Sequence, residues 1–109
     1  MQMTSFLQDK QLTIALAGEI DHHGARNVMV QITDKIDQFM PMLCVLDFKA
    51  VTFMDSSGIA IVIHTYRRMA ELRGTLRLKR VPPQPMKVLH AAGMERIVSI
   101  EGREMVYEG

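Results

Sequence analysis

The residues with chemistry to offer fall in two short stretches, Asp21-His22-His23 and Phe53-Met54-Asp55-Ser56-Ser57-Gly58, with Cys44, His64 and His90 standing apart. Two serines directly ahead of an apolar helical stripe sit where free backbone N–H groups and the positive end of a helix dipole converge, a setting that tolerates a phosphate. The same place suits a plainer role, because Asp55, Ser56 or Ser57 would each cap the helix for about 1 kcal/mol. Capping does not account for Phe53 and Met54, read as an exposed apolar pair, or for Ile59 and Ala60 in the first turn. Together they predict a small contact surface around a hydroxyl.

Other chemistries fit less well. A serine among four histidines suggests a hydrolase, yet the strained nucleophile turn needs Gly-x-Ser-x-Gly and the first glycine is missing. His64 stands about two helical turns beyond Ser57, too far to act as its base. Asp21-His22-His23 is a poor metal site, since consecutive side chains diverge while working helical pairs are spaced i, i+4 and three or four ligands must converge. The triplet reads as a helix cap followed by solvated histidines. The seven glycines are scattered without a phosphate-cradling loop, so neither a nucleotide nor another cofactor is expected. Residues 67 to 87 hold seven of the 13 basic residues against Glu71 alone, a local +6. No aromatics interleave and no helix-turn-helix pattern appears, so a solvated face is expected, without nucleic acid.

The elements that must position these residues follow from hydrophobic period. Leu12, Ile14 and Leu16 alternate with Thr13, Ala15 and Ala17 as in a half-buried strand, and Met3 to Leu7 would pair with it as a hairpin. Val28, Ile32, Ile36 and Phe39 form a helical stripe ended by Pro41. Leu43 to Phe48 reads as a central strand. Ile59, Val62, Ile63, Tyr66 and Met69 mark the strongest helix, closed by Gly74. Leu76 and Leu78 alternate with Arg77 and Lys79 in a further strand. Pro82, Pro83 and Pro85 then break the chain before a short helix through Met86, Leu89 and Ala92, and Ile97 to Ile100 is a last strand. Gly102 to Gly109 is too short and mixed to assign.

This order predicts an α/β fold with a mixed sheet of four or five strands. Thr13, Arg77 and Lys79 would leave one sheet face wet, so the helices are expected together on the other. Loops Glu19–Gly24, Lys49–Gly58 and Arg80–Gln84 would then meet at one sheet edge, where α/β folds place ligands. With 109 residues, 48% apolar and 23% charged, the chain suits one domain spanning 1–109. The net charge of +1 gives no field toward nucleic acid or membrane. One cysteine and no apolar leader predict a cytoplasmic address, and no run approaches the roughly 20 residues of a membrane span.

Gly18-Glu19-Ile20-Asp21-His22-His23, Leu46-Asp47-Phe48, Val51-Thr52-Phe53-Met54-Asp55-Ser56-Ser57-Gly58 and Ala92-Gly93-Met94 together resemble the anti-sigma factor antagonists of the STAS domain family, most of all its sporulation branch. The resemblance covers nearly the whole chain. It implies a non-enzymatic regulator that binds an anti-sigma factor, itself a serine kinase, releases the sigma factor, and is switched off by phosphorylation at Ser56. A metal-dependent serine/threonine phosphatase would reset it, and the free chain would be a monomer. The implied partner surface comprises Asp21, His22, Phe53, Met54, Asp55, Ser57, Gly58 and Ile59, with Gly58 permitting close approach of the partner. Ile59-Ala60 stands where relatives often carry Leu-Gly, and the tail is short for a closing helix. The alternative within the same resemblance is a scaffolding or small-molecule-binding STAS module in a stress-signalling assembly.

Overall fold

Leu12, Ile14 and Leu16 are fully buried, as their alternation requires, and they lie on β2 (Gln11–Ile20), which pairs antiparallel with β1 (Gln2–Gln8). The computed structural model describes residues 1–102. Beyond the hairpin the chain runs through α1 (His22–Phe39), β3 (Leu43–Met54), α2 (Ser57–Glu71), β4 (Thr75–Val81), α3 (Pro83–Ala91), a 3-10 turn (Met94–Arg96) and β5 (Ser99–Gly102). The sheet order is β1-β2-β3-β4-β5, with every pair after the first parallel. Helical crossovers between parallel neighbours produce this order from the chain sequence directly.

Helices share one side of the sheet. Ala25, Val28, Ile32 and Ile36 of α1, Ile61, Val62 and Met69 of α2, and Leu89 of α3 join Leu12, Leu46, Leu76 and Leu78 in a single core. Ile63, expected in that core, is only partly buried at its margin. The other sheet face carries Thr13, Val45, Asp47, Lys79 and Arg80 around an open groove. There the Arg80 guanidinium bonds both carboxylate oxygens of Asp47, which also accepts the Lys49 N–H at 3.0 Å. Asp47 thereby raises the pKa of Arg80. Arg68 is likewise tied to Asp37 and Glu71. Two of the seven cations in the basic run are therefore internally paired, and Arg67, Arg73, Arg77 and Lys87 are exposed.

Three expected boundaries move. β3 continues six residues beyond Phe48, because register shifts between Ala15 and Ala17 and between Gly18 and Glu19 on β2 keep it paired past the point where its alternation slips. Gly18, at φ 89°, supplies a backbone state suited to such a bulge. The supposed loops 19–24 and 49–58 thus contract to Asp21 and to Asp55-Ser56. The segment 80–84 is also mostly regular structure. Arg80 adopts a left-handed φ of 55° within β4, and Pro82 and Pro83 open α3 instead of interrupting the chain before it. A proline at the first helical position lacks only an N–H that would have no helical partner. The last strand begins at Ser99 because the 3-10 turn occupies Met94–Arg96. The unassigned tail beyond Gly102 lies outside the described residues.

Cys44 sits on β3 in the core, and burial pushes its thiol up to about 12. The thiolate is the reactive form, so a disulfide reagent at mildly alkaline pH should label the native protein only as fast as it opens, and the urea-unfolded protein at once. A rapid burst of labelling in the native state would contradict this placement.

Candidate functional site

β2 and β3 end together. Ile20 pairs with Met54, and the Asp55 N–H donates to the Ile20 carbonyl at 3.0 Å. Asp21 and Asp55 are therefore neighbours at the C-terminal edge of the sheet, each at the mouth of the helix that follows. Asp21 has an extended backbone and its Oδ1 accepts the N–H groups of His23 and Gly24 at 3.1 and 3.3 Å. This is helix capping at the start of α1, as the sequence predicts for the triplet. His22 and His23 are exposed with ring centroids 4.2 Å apart.

At the mouth of α2 the capping is done by Asp55. Its Oδ1 accepts the Ser57 N–H at 2.7 Å and its carbonyl accepts the Gly58 N–H at 3.0 Å, while the Ser56 carbonyl accepts the Ile59 N–H at 3.0 Å. The free N–H groups expected here already have acceptors. Ser56 is exposed, has αR backbone angles, and uses its side chain in no cap, whereas Ser57 is half-buried. Of the two serines, Ser56 presents the more available hydroxyl.

The apolar surround is smaller than expected. Phe53 is 45% exposed, but Met54 is fully buried and Ile59 partly so, packed against the core. At the end of β3 Thr52 and Phe53 are exposed but Met54 packs into the core, correcting the reading of an exposed pair. Gly58 is also buried, and a Cβ there would overlap Met54 Sδ and Cγ. Its missing side chain admits Met54 from below, where the sequence reading assigned that space to a partner. Gly58→Ala should destabilise the fold by about 1–3 kcal/mol, the usual range for overpacking, despite the better helix propensity of alanine. Urea titration of Gly58→Ala alone and combined with Met54→Ala checks this, since the two changes must couple if Met54 is the obstacle. Equal costs for Gly58→Ala in both backgrounds would overturn it.

Gln84, which the sequence places at this edge only as the end of a loop, makes contacts there that no local pattern announces. Pairing of β3 with β4 stops at Asp47 and Lys79, so among the described residues Met54 has no strand neighbour on that side. The Gln84 carboxamide takes that place, accepting the Met54 N–H and donating to the Met54 carbonyl, both at 2.9 Å. Its position on α3, among prolines, becomes meaningful only when the topology brings α3 against the end of β3. The remaining histidines are elsewhere, His64 Nε2 lying 2.7 Å from Thr33 Oγ1 and His90 lying near Glu95. Among the described residues, no three His, Cys, Asp or Glu side chains are grouped to hold a metal, and no helix is long and apolar enough to cross a membrane.

Residues 6–106 match the STAS domain. The chain is 30% identical over 94 residues to the anti-sigma F factor antagonist of Paenibacillus polymyxa, covering 86% of this chain and 80% of that protein. It is 29% identical to that of Lysinibacillus sphaericus, over 76% and 71% of the two chains. Its fold superposes on the unphosphorylated anti-sigma factor antagonist SpoIIAA with a TM-score of 0.79 at 25% identity, covering 91% and 87% of the chains. The phosphorylated form of SpoIIAA from Bacillus gives 0.71 at 25% identity, over 91% and 90%. With the five-stranded mixed sheet and three helices of the described residues and the paired helix mouths in place, the chain belongs to the STAS domain family, alongside the anti-sigma factor antagonists.

Proposed function

We propose that this protein is an anti-sigma factor antagonist: it binds an anti-sigma factor that is also a serine kinase, frees the sigma factor held there, and is inactivated by phosphorylation of Ser56 until a serine/threonine phosphatase removes the group. The observation that carries this reading is the exposed Ser56 side chain, which takes no part in capping because Asp55 fills that role. Relatives named as anti-sigma F factor antagonists, and a similar protein whose structure exists in phosphorylated form, support the same assignment. Asp21, His22, Phe53, Asp55, Ser57 and Ile59 would form the partner surface around Ser56, with Met54 and Gly58 supporting it from the core. Any ATP belongs to the partner in this scheme.

The test is reconstitution with the cognate anti-sigma factor and its sigma factor. Addition of this chain should dissociate the preformed pair on a size-exclusion column and move the anti-sigma factor into a complex with this protein. Failure to bind the anti-sigma factor in the unphosphorylated state would overturn the proposal.

A further inference from the structure

The strand that delivers Ser56 is flanked by a strand on one side only over its last stretch. β3 pairs with β2 as far as Met54, and the register slips twice on the way. On the opposite side its pairing with β4 ends at Asp47, Arg80 follows Lys79 at a left-handed φ of 55°, and β4 turns away. A groove of about 420 Å³ opens there between residues 49–52 and 82–85. Lys49, Ala50, Thr52 and Phe53 are all exposed. A strand end with so few flanking contacts belongs to the part of a fold that opens locally unless something pins it.

Gln84 closes the gap at its far end. A carboxamide carries one acceptor and one donor side by side, as a peptide unit does, so it accepts the Met54 N–H and donates to the Met54 carbonyl together, each at 2.9 Å. Pro82, Pro83 and Pro85 stand around it, and their rings fix φ, so the side chain springs from a backbone with little freedom left to lose. The next residue after Met54 is Asp55, whose N–H is held by the Ile20 carbonyl and whose Oδ1 holds the Ser57 N–H. Ser56 lies between these anchors. Its side chain makes no capping bond, so the place of its hydroxyl is set by the backbone on either side.

We propose, on the reading of Ser56 as the phosphate acceptor, that Gln84 is a positioning residue: it pins the end of β3 so that the kinase meets the Ser56 hydroxyl in one place. Gln84 bonds Met54 and acts on Ser56 through it and Asp55. A reacting group displaced by about 1 Å can lose about 100-fold in rate, so release of this anchor should lower the kcat of phosphorylation at least about tenfold. Asp21, His22 and Ile59 stand on other elements and keep their places, so KM should stay within about threefold, the pattern of lost alignment and not of lost binding.

Steady-state phosphorylation by the cognate kinase, with the modified residue identified by mass spectrometry, compares wild type with Gln84→Ala and Gln84→Met. Methionine has nearly the length of glutamine without its donor and acceptor, so both variants should lose kcat alike. Recovery in Gln84→Met would reduce Gln84 to packing and overturn the proposal. Ile36→Val, buried at the far end of α1 from Asp21, controls for lost stability and should leave kcat unchanged. An equal loss in Ile36→Val would likewise overturn it. Amide exchange followed by NMR needs no kinase: the Met54 N–H should lose at least about tenfold in protection in both Gln84 variants while Leu12 and Leu46 keep theirs. Unchanged protection at Met54, or unchanged kcat while wild type is modified at Ser56, would overturn the proposal. A wild-type chain phosphorylated elsewhere or not at all would instead overturn the reading of Ser56, and the proposal with it.

Discussion

Incubated with its cognate kinase and ATP, the chain should gain a single phosphate, and Ser56→Ala should abolish it while Ser57→Ala leaves it in place. The two serines are adjacent in sequence but differ in what their surroundings allow. Ser57 is the first residue of α2, half-buried, with its N–H held by Asp55. Ser56 precedes the helix, is exposed, and makes no side-chain cap. A kinase must bring the γ-phosphorus of ATP within bonding distance of the hydroxyl oxygen while a base receives the hydroxyl proton and ADP departs. That approach is open at Ser56 without disturbing α2. Because its side chain is exposed and makes no capping bond, Ser56→Ala should change unfolding free energy by less than about 0.5 kcal/mol, the usual range for surface substitutions. Loss of phosphorylation is then a loss of the acceptor alone. Intact-protein mass spectrometry and urea titration on the same samples provide the check, and disappearance of the phosphate in Ser57→Ala alone would reassign the acceptor.

How far the site was legible in the sequence depends on what each residue needed. Alternation at Leu12, Ile14 and Leu16 and at Leu76 and Leu78 was sufficient to orient two strands and to keep the helices on one face, because one-sided burial leaves a period of two. Asp21 as a cap was readable for a similar local reason. The long continuation of β3 was not, since Lys49 and Ala50 are both exposed and interrupt the period just where bulges on β2 restore pairing. That missed extension also hid the burial of Met54, and with it the packing reason for Gly58. Gln84 depended on topology altogether: its two bonds to Met54 join residues thirty positions apart. The resemblance to the STAS family pointed to Ser56, but the reason its hydroxyl is available, capping by Asp55, emerged from geometry.

Phosphorylation of Ser56 should reduce affinity for the anti-sigma factor by at least about 100-fold, equivalent to about 2.7 kcal/mol, while barely altering the stability of the free domain. The phosphate adds roughly 1.5 to 2 negative charges. Asp55 is the next residue and Asp21 lies on the adjoining helix mouth, so both acids oppose it. The dipole of α2 favours it by only about 0.3–1 kcal/mol at a surface position. The N–H groups of Ser57, Gly58 and Ile59 already have acceptors, so the phosphate gains little direct bonding from them. These opposed terms are small because the exposed group stays hydrated in the free protein. In a complex formed around Phe53 and Ile59 that hydration must be removed, and neither Asp21-His22-His23 nor Phe53 to Ile59 contains a lysine or arginine to replace it. An inadequately paired charge is costly to bury, which places nearly the whole effect on binding. Calorimetric titration with the anti-sigma factor, alongside hydrogen exchange of the free domain with and without the phosphate, separates the two quantities. Unchanged affinity, or a broad loss of protection across Leu12 to Leu16 and Cys44 to Phe48, would show instead that the switch does not act by a local block.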